Sequence, residues 1–503
     1  MKAEGGEEIL GYFFYDLNAK LNHKFSDKDR IFLSVYTGDD KFYLKYKYDE
    51  YHNGNIYRSN EEGGIRWGNI TTALRWNHIL NQKLFSNTTL TYSRYRFNTK
   101  LEEESESIID GTKENTYYSL KYLSGIQDYA LKVDFDYLPN PKNHIRFGTS
   151  VIKHTFNPGA FGYKETNQAD TTLGAPKMGA TEFGLYVEND IIVTNRLKLN
   201  VGLHLSGFNV DSKFYNSLQP RLAGRYLFSP TFSYKFSYNQ MQQYIHLLTN
   251  SGIGLPTDLW VPSTGTIQPQ HAEQFAMAFV KNLKSTYEIS LEGYYKKMKN
   301  LIEYKEGASS FNLEKDWAGK VESGEGNSYG AELFLQKKHG SITGWIGYTL
   351  AWSNRTFQNI NEGETYPYKY DRRHDLSVAM MKKLGKKVEF STNWVFGTGN
   401  AITLPVASYL TAYGRYGEGV YDYGSRNSFR MNSYHRLDLS FSFVKKTRWG
   451  ERRWILGVYN AYNRKNPFYV DVKSRNNERG SYNQFVQYSL FPIIPSISYS
   501  FKF

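Results

Sequence analysis

The sequence predicts an all-β protein, a transmembrane antiparallel barrel of the outer-membrane type, and three observations carry that expectation. Period-two alternation of apolar and polar residues recurs from end to end. Short polar turns alternate with long polar connections. No stretch approaches the run of ~20 apolar residues that a membrane helix needs.

The alternation is clearest near the C-terminus. His435, Leu437, Leu439, Phe441 and Phe443 fall on one side of an extended chain, with Tyr434, Arg436, Asp438, Ser440 and Ser442 on the other. Leu197, Leu199, Val201, Leu203 and Leu205 alternate likewise with Lys198, Asn200, Gly202, His204 and Ser206. In lipid every backbone amide needs a partner inside the protein, so a non-helical chain must form a closed sheet, greasy outside and wet inside. Such strands average out as polar, which reconciles a mean hydropathy of -0.60 with a membrane protein.

The connections supply the wiring. Short turns are expected near 26–29, 81–83, 139–142, 194–196, 229–231, 337–340, 383–386 and 445–452. Long segments are expected at 48–64, 100–115, 156–180, 207–218, 246–270, 305–327, 354–370, 400–430 and 463–483. Tight periplasmic turns opposite large external loops are the pattern of an outer-membrane barrel, and the count comes to about 19 strands. Single-chain bacterial barrels close on an even number. Parity from a periplasmic Phe503 makes residues 12–24 a downward strand, so three earlier strands would complete a parent of about 22. Ile497, Tyr499, Phe501 and Phe503 then lie on the closing strand. Trp76, Trp352, Trp394, Trp449 and Trp454 suit the interfacial girdles, where amphipathic rings favour the headgroup level.

Composition excludes several classes. With no Cys among 503 residues there is neither a disulfide scaffold nor a Cys-ligated metal site. The formal charge of +13 is scattered over turns, loop bases and alternate strand positions, not gathered into a stripe or arm, so no nucleic-acid partner is expected. The eleven His make no HExxH, and Gly397-Thr398-Gly399 lacks the Lys of a phosphate loop. No catalytic residue, metal ligand or cofactor is expected, and the chain does not read as an enzyme. Met1 to Glu8 is acidic and passes at once into strand-like sequence, so the start of an exported gene product is expected to lie upstream.

Several segments carry a family resemblance. They include residues 14–21 (FYDLNAKL), Gln219-Pro220-Arg221-Leu222, residues 243–248 (QYIHLL) and residues 255–262 (LPTDLWVP). Later come residues 328–332 (SYGAE), 370–376 (YDRRHDL) and 459–467 (YNAYNRKNP). Together they resemble the barrel region of TonB-dependent outer-membrane receptors of Bacteroidetes, of the type with a carboxypeptidase-regulatory-like domain before the plug. The resemblance implies a lumen filled by a plug whose short box reaches TonB, and uptake of iron chelates, cobalamin, glycans or peptides. It also admits a surface lipoprotein as partner. No plug, box or regulatory-like domain is found in the sequence, so residues 1–503 are expected to be one barrel domain, incomplete on its N-terminal side. The plug and first strands would belong to the same parent or to a separate chain. The expected function is TonB-dependent uptake of a scarce or bulky nutrient, with this chain as lipid-facing wall and capture loops. The alternative is a docking component of an outer-membrane assembly without transport of its own.

Candidate binding residues follow from side-chain chemistry. Asp258 and Trp260 fall in a long external loop, where a rigid indole gains contact area at little entropic cost. Tyr409, Tyr413, Tyr416 and Tyr421, interleaved with Gly, form another external surface. Asp371, Arg372, Arg373 and His374 stand at the mouth of a strand. They are expected either to anchor loops in a carboxylate–guanidinium network or to grip an anion through two forked donors.

Overall fold

The computed structural model describes residues 6–52, 54–166, 171–174, 176–249, 259–308, 317–410, 419–477 and 480–503. Its main element is one 21-stranded sheet, of which Thr171–Gly174 and Tyr366–Pro367 are short accessory strands and the other 19 form a continuous antiparallel ladder. The first six are β1 (Gly6–Lys24), β2 (Asp29–His52), β3 (Asn55–Asn81), β4 (Leu84–Ile109), β5 (Thr112–Asn140) and β6 (Asn143–Glu165). Then follow β7 (Met178–Ile192), β8 (Leu197–Val210), β9 (Lys213–Ser229), β10 (Phe232–Gln243), β11 (Gln270–Leu283) and β12 (Tyr287–Tyr304). The remainder are β13 (Val321–Lys337), β14 (Ile342–Thr356), β15 (His374–Lys383), β16 (Val388–Gly397), β17 (Tyr434–Thr447), β18 (Gly450–Tyr459) and β19 (Ile494–Lys502). Each pairs with its sequence neighbours, which gives the up-and-down order that tight turns allow.

Register fixes the faces. Leu437 pairs with Trp394, Leu439 with Thr392 and Phe441 with Phe390, while Asp438 pairs with Asn393 and Ser440 with Ser391. Apolar and polar rows therefore stay on opposite sides from strand to strand, as the alternation predicts. The outward Val201, Leu203 and Leu205 are 46%, 42% and 46% exposed, which in a water-soluble sheet would be a large uncovered apolar face. The inner row is a polar lattice. Arg146 reaches Glu188 at 3.0 Å and Asp190 at 2.8 Å, Asn200 donates to Asp190 at 2.8 Å, and Tyr186 donates to Asp134 at 2.7 Å. Phe228, Phe232 and Phe279 stack in series on the outside near the short-turn end, at 5.1 and 6.1 Å between centroids. That is the position of an interfacial belt.

Two expectations about connections are corrected. Segments 48–64, 100–115 and 207–218 are mostly strand, not loop. The β4–β5 hairpin turns at Asp110 and Gly111 (φ 50° and 78°) and the β8–β9 hairpin at Asp211 and Ser212 (φ 46° and 63°). Consecutive positive φ values match the right-handed twist of flanking strands, so these hairpins continue as sheet beyond the membrane. The β5 strand has 29 residues, where a tilted spanning strand uses about 10. The second correction adds a short turn at Lys284 and Ser285 (φ 49° and 54°), between β11 and β12, which no Gly, Pro, Asn or Asp marks at its centre.

Among the described residues β1 pairs only with β2, and β19 only with β18. Ile497, Tyr499 and Phe501 are outward on β19, opposite Leu456, Trp454 and Arg452, and every residue of β19 is exposed. Fully buried apolar side chains gather where connections fold back onto the inner wall. One cluster joins Phe97 of β4 and Tyr122 of β5 to Ile302 and Tyr304 of β12 and Val321 of β13. These strands lie far apart in the ladder, with β6 to β11 between them. The gap is filled by Leu248, Leu259, Val261 and Ile267, all from the β10–β11 connection.

Candidate ligand-capture site at the barrel mouth

That connection is the centre of the site. Ile245–Leu248 and Leu259–Pro262 form an antiparallel hairpin, hereafter the inner hairpin, with His246 opposite Val261 and Leu247 opposite Trp260. Alternation makes it two-faced. His246, Leu248, Leu259 and Val261 are buried, while Trp260 on the other face is 37% exposed. Fully burying each aliphatic side chain contributes roughly 1.5–3 kcal/mol, enough to hold a short hairpin that would not be stable alone.

The base of the hairpin is tied by Tyr244, the residue after β10. Its ring stacks on Phe208 at 4.8 Å and 3°, and its hydroxyl lies 2.7 Å from Ser206 Oγ, which in turn accepts from Gln219 Nε2 at 2.7 Å. His246 is locked on both ring nitrogens. Gln270 Nε2 lies 2.9 Å from Nδ1 and Ser263 Oγ lies 3.1 Å from Nε2, an arrangement that a neutral imidazole protonated on Nε2 satisfies. Burial pushes its pKa down to about 4.

Trp260 faces a cavity of about 580 Å³ between the hairpin and the inner wall of β3, β4, β5 and β7. Its walls include Tyr95, Asp128, Glu182, Gln242 and Tyr244, with no Lys or Arg among the described residues lining it. Behind the carboxylates lies His154 of β6, 2% exposed, with Nδ1 2.8 Å from Asp128 Oδ1 and Nε2 3.6 Å from Glu182 Oε2. Trp260 is thus a candidate that the fold places in a cavity, whereas Asp258 lies outside the described residues. Tyr409 and Tyr421 sit on a separate hairpin, Pro405–Leu410 with Gly419–Tyr423, and do not line this cavity. Tyr413 and Tyr416 lie outside the described residues.

The charged group at the mouth of β15 is divided by the fold. Asp371 is buried. It accepts from the Ser353 amide at 2.6 Å and pairs with Arg430, whose other nitrogen donates to the Asp371 carbonyl at 2.6 Å. Arg373 lies 3.5 Å from the same carboxylate, with its guanidinium 4.4 Å from the Trp352 ring centre. Arg372 and Asp375 form a half-exposed pair at 3.5 Å, and His374 Nδ1 lies 2.9 Å from the Tyr348 hydroxyl. Sequence reasoning missed the neighbouring Glu303, fully buried at the end of β12, which accepts from Arg426 at 2.9 Å and from the Tyr366 hydroxyl at 2.6 Å. Burial, reinforced by that carboxylate, pushes the Tyr366 phenol far above its usual range. No local pattern marks Glu303, because its partners come from two later loops. Among the described residues no group of three or more His, Asp or Glu is arranged to hold a metal ion.

Residues 11–463 match the family described as TonB dependent receptor-like, beta-barrel. The chain belongs to this family. Its members are outer-membrane transporters and receptors, not enzymes; they work with TonB and carry a plug domain. Solved structures agree on the fold at low identity. The ferripyoverdine receptor of the Pseudomonas aeruginosa outer membrane, bound to ferripyoverdine, superposes with a TM-score of 0.57 at 11% identity, covering 98% of this chain and 71% of that one. The ferric-catecholate import receptor Fiu from E. coli K12 gives 0.56 at 11% identity, covering 98% and 80%. The ferric citrate transporter FecA, unliganded, gives 0.52 at 10% identity, covering 98% and 76%. No curated protein matches the sequence. The outer-membrane location of this receptor barrel accounts for the greasy outer face of its sheet.

Proposed function

We propose that this receptor barrel takes up a scarce or bulky nutrient by a TonB-dependent cycle, with its external loops capturing the solute and its wall forming the passage. The resemblance to Bacteroidetes receptors with a regulatory-like domain belongs to the same reading, as does a surface lipoprotein partner. The observation that carries it is the inner hairpin: a loop folded across the mouth, docked on both sides, with an aromatic and polar cavity behind it. A passive pore gains nothing from such an obstruction, whereas a receptor needs a preformed surface where solute binds before the plug moves. Iron chelates are the cargo named for the solved relatives, and they head the substrates to test here.

The mechanism follows from the elements in hand. Solute enters between the tall β2–β6 sheet and the loops pinned by Glu303 and Asp371, then contacts Trp260. Rearrangement of the plug, driven through TonB, opens the route past the polar lattice of Arg146, Glu188 and Asp190. No bond-making step is required. The experiment is growth and labelled-solute uptake by isogenic cells with and without the gene, across an iron-chelate, cobalamin, glycan and peptide panel, each repeated without TonB. At least one solute should depend on both. Uptake that persists without TonB would refute the reading.

A further inference from the structure

The cavity behind Trp260 has a charge character that the whole chain does not share. The protein carries a formal charge of +13, yet the described lining offers two carboxylates, carboxamides and aromatic rings, and no Lys or Arg. Asp128 and Glu182 share one imidazole, His154. Two carboxylates against one ring leave the group net negative whether that ring is charged or neutral, so an unmet demand for positive charge faces the cavity.

A second, independent observation lies higher on the same inner face. Glu61 of β3 and Glu103 of β4 are direct register partners. Their side chains point the same way as Trp67 and Phe97, the inward residues of those strands, because each is an even number of residues away. Like charges directly opposed in a sheet are destabilising. The next pair, Glu62 and Glu102 on the outer face, is compensated: Lys41 and Lys45 hold Glu62, and Lys100 and Lys121 hold Glu102. No salt bridge among the described residues compensates Glu61 or Glu103. The outer pair is neutralised by the protein itself, and the inner pair is left open toward the mouth.

We propose that the cavity behind the inner hairpin is a subsite for a basic group of the cargo, an ammonium or guanidinium ion, held by Asp128 and Glu182 beside the Trp260 ring, with Glu61 and Glu103 attracting it from above. Carboxylates supply charge-assisted acceptors, and an indole face attracts a cation through its quadrupole. Among iron chelates the subsite favours those that carry a basic group, because the charged groups among the described residues lining the cavity, Asp128 and Glu182, repel a purely anionic one. This rests on the uptake reading and names the chemistry its capture site selects.

The test is calorimetric titration of the purified full chain in detergent with three probes matched in the magnitude of their net charge: spermidine, a tri-arginine peptide and a tri-glutamate peptide. One or both cationic probes should bind. Spermidine alone would point to free polyamines and tri-arginine to basic peptides, and tri-glutamate should bind at least ~10-fold more weakly than either. Asp128→Asn and Glu182→Gln keep the side-chain shapes, and each should weaken the cationic probe about 10-fold, the order expected for a charge-assisted hydrogen bond. Trp260→Ala should weaken it about 5-fold. Heat-modifiable migration on gels confirms that each variant is folded, and the three substitutions lie on different strands, so one misfolded variant leaves two. Absence of cationic binding, equal binding of tri-glutamate, or folded Asp128 and Glu182 variants with unchanged affinity would overturn the subsite. Binding in detergent needs no energy source, so that failure is separate from TonB-independent uptake, which refutes the transport reading alone.

Discussion

Glu303 at the end of β12 holds the guanidinium of Arg426 at 2.9 Å, although the two stand 123 positions apart in the chain. Both side chains are almost wholly removed from solvent, and the Tyr366 hydroxyl takes the second carboxylate oxygen. One carboxylate therefore fastens two loops to the top of the wall. Breaking a buried pair by removing one partner leaves an uncompensated charge, at a cost of about 3–5 kcal/mol. Arg426→Ala should release the 398–433 connection locally, while the distant β1–β6 sheet keeps its protection. Hydrogen exchange followed by mass spectrometry reads this directly. The double variant Glu303→Gln with Arg426→Met should recover part of the loss, because no lone charge then remains buried.

The inner hairpin should respond to acid. His246 has a folded pKa depressed to about 4 by burial, against about 6.5 when exposed. Between those values the opened hairpin binds more protons than the docked one. Docking is thus fully stabilised above about pH 6.5 and weakens as pH falls toward 4, by about 3 kcal/mol over the window. Since the protein has no Cys, a single Val261→Cys reports opening through its labelling rate. Normalised to an exposed Tyr421→Cys control, that rate should rise at least ~30-fold between pH 7 and 4.5, as 1.4 kcal/mol corresponds to tenfold. His246→Gln, which keeps two polar ends, should flatten the dependence.

The turn at Lys284 and Ser285 holds two non-glycine residues in left-handed conformation, each costing roughly 1 kcal/mol relative to a permissive residue. Replacing them with Asn-Gly, the pair that suits consecutive positive φ, should raise the urea midpoint of folding in lipid vesicles by an amount worth about 1 kcal/mol. Equal or lower stability of that variant would show that the turn is not of this type.

The same turn shows where the sequence stops being legible. Strand faces were readable because a period of two is local: Leu437 and Leu439 need no distant partner to declare their side. The strand count was readable because turns and connections alternate. Lys284-Ser285 carried no turn chemistry, so only the conformation imposed by β11 and β12 reveals it. The long segments near Asp110 and Asp211 looked like loops because their strands continue beyond a spanning length, far beyond it at Asp110, and there alternation no longer separates lipid from water. Trp260 could be picked as an exposed ring, but its cavity could not, since Asp128, Glu182 and Tyr95 come from three other strands. Glu303 and Arg426 leave no trace at all in local pattern, because a buried ion pair is recorded only in the contact between them.

The outer face gives the most direct check on the architecture. Leu203 points outward on β8, and Asn200, three residues earlier and therefore on the opposite face, donates to Asp190 in the lumen. An arginine facing lipid near the bilayer midplane costs about 2–4 kcal/mol, whereas the wet side accepts one readily. Leu203→Arg should therefore lower the yield of heat-modifiable protein in vesicles and its unfolding free energy by that amount. Asn200→Arg gains a neighbouring carboxylate, Asp190, and should stay within about 1 kcal/mol of the parent. The contrast depends on nothing except which face meets hydrocarbon. Equal costs would remove the distinction between the two faces; if the lumenal substitution cost more, the assignment of inside and outside would be reversed, and Trp260 would no longer look into a passage.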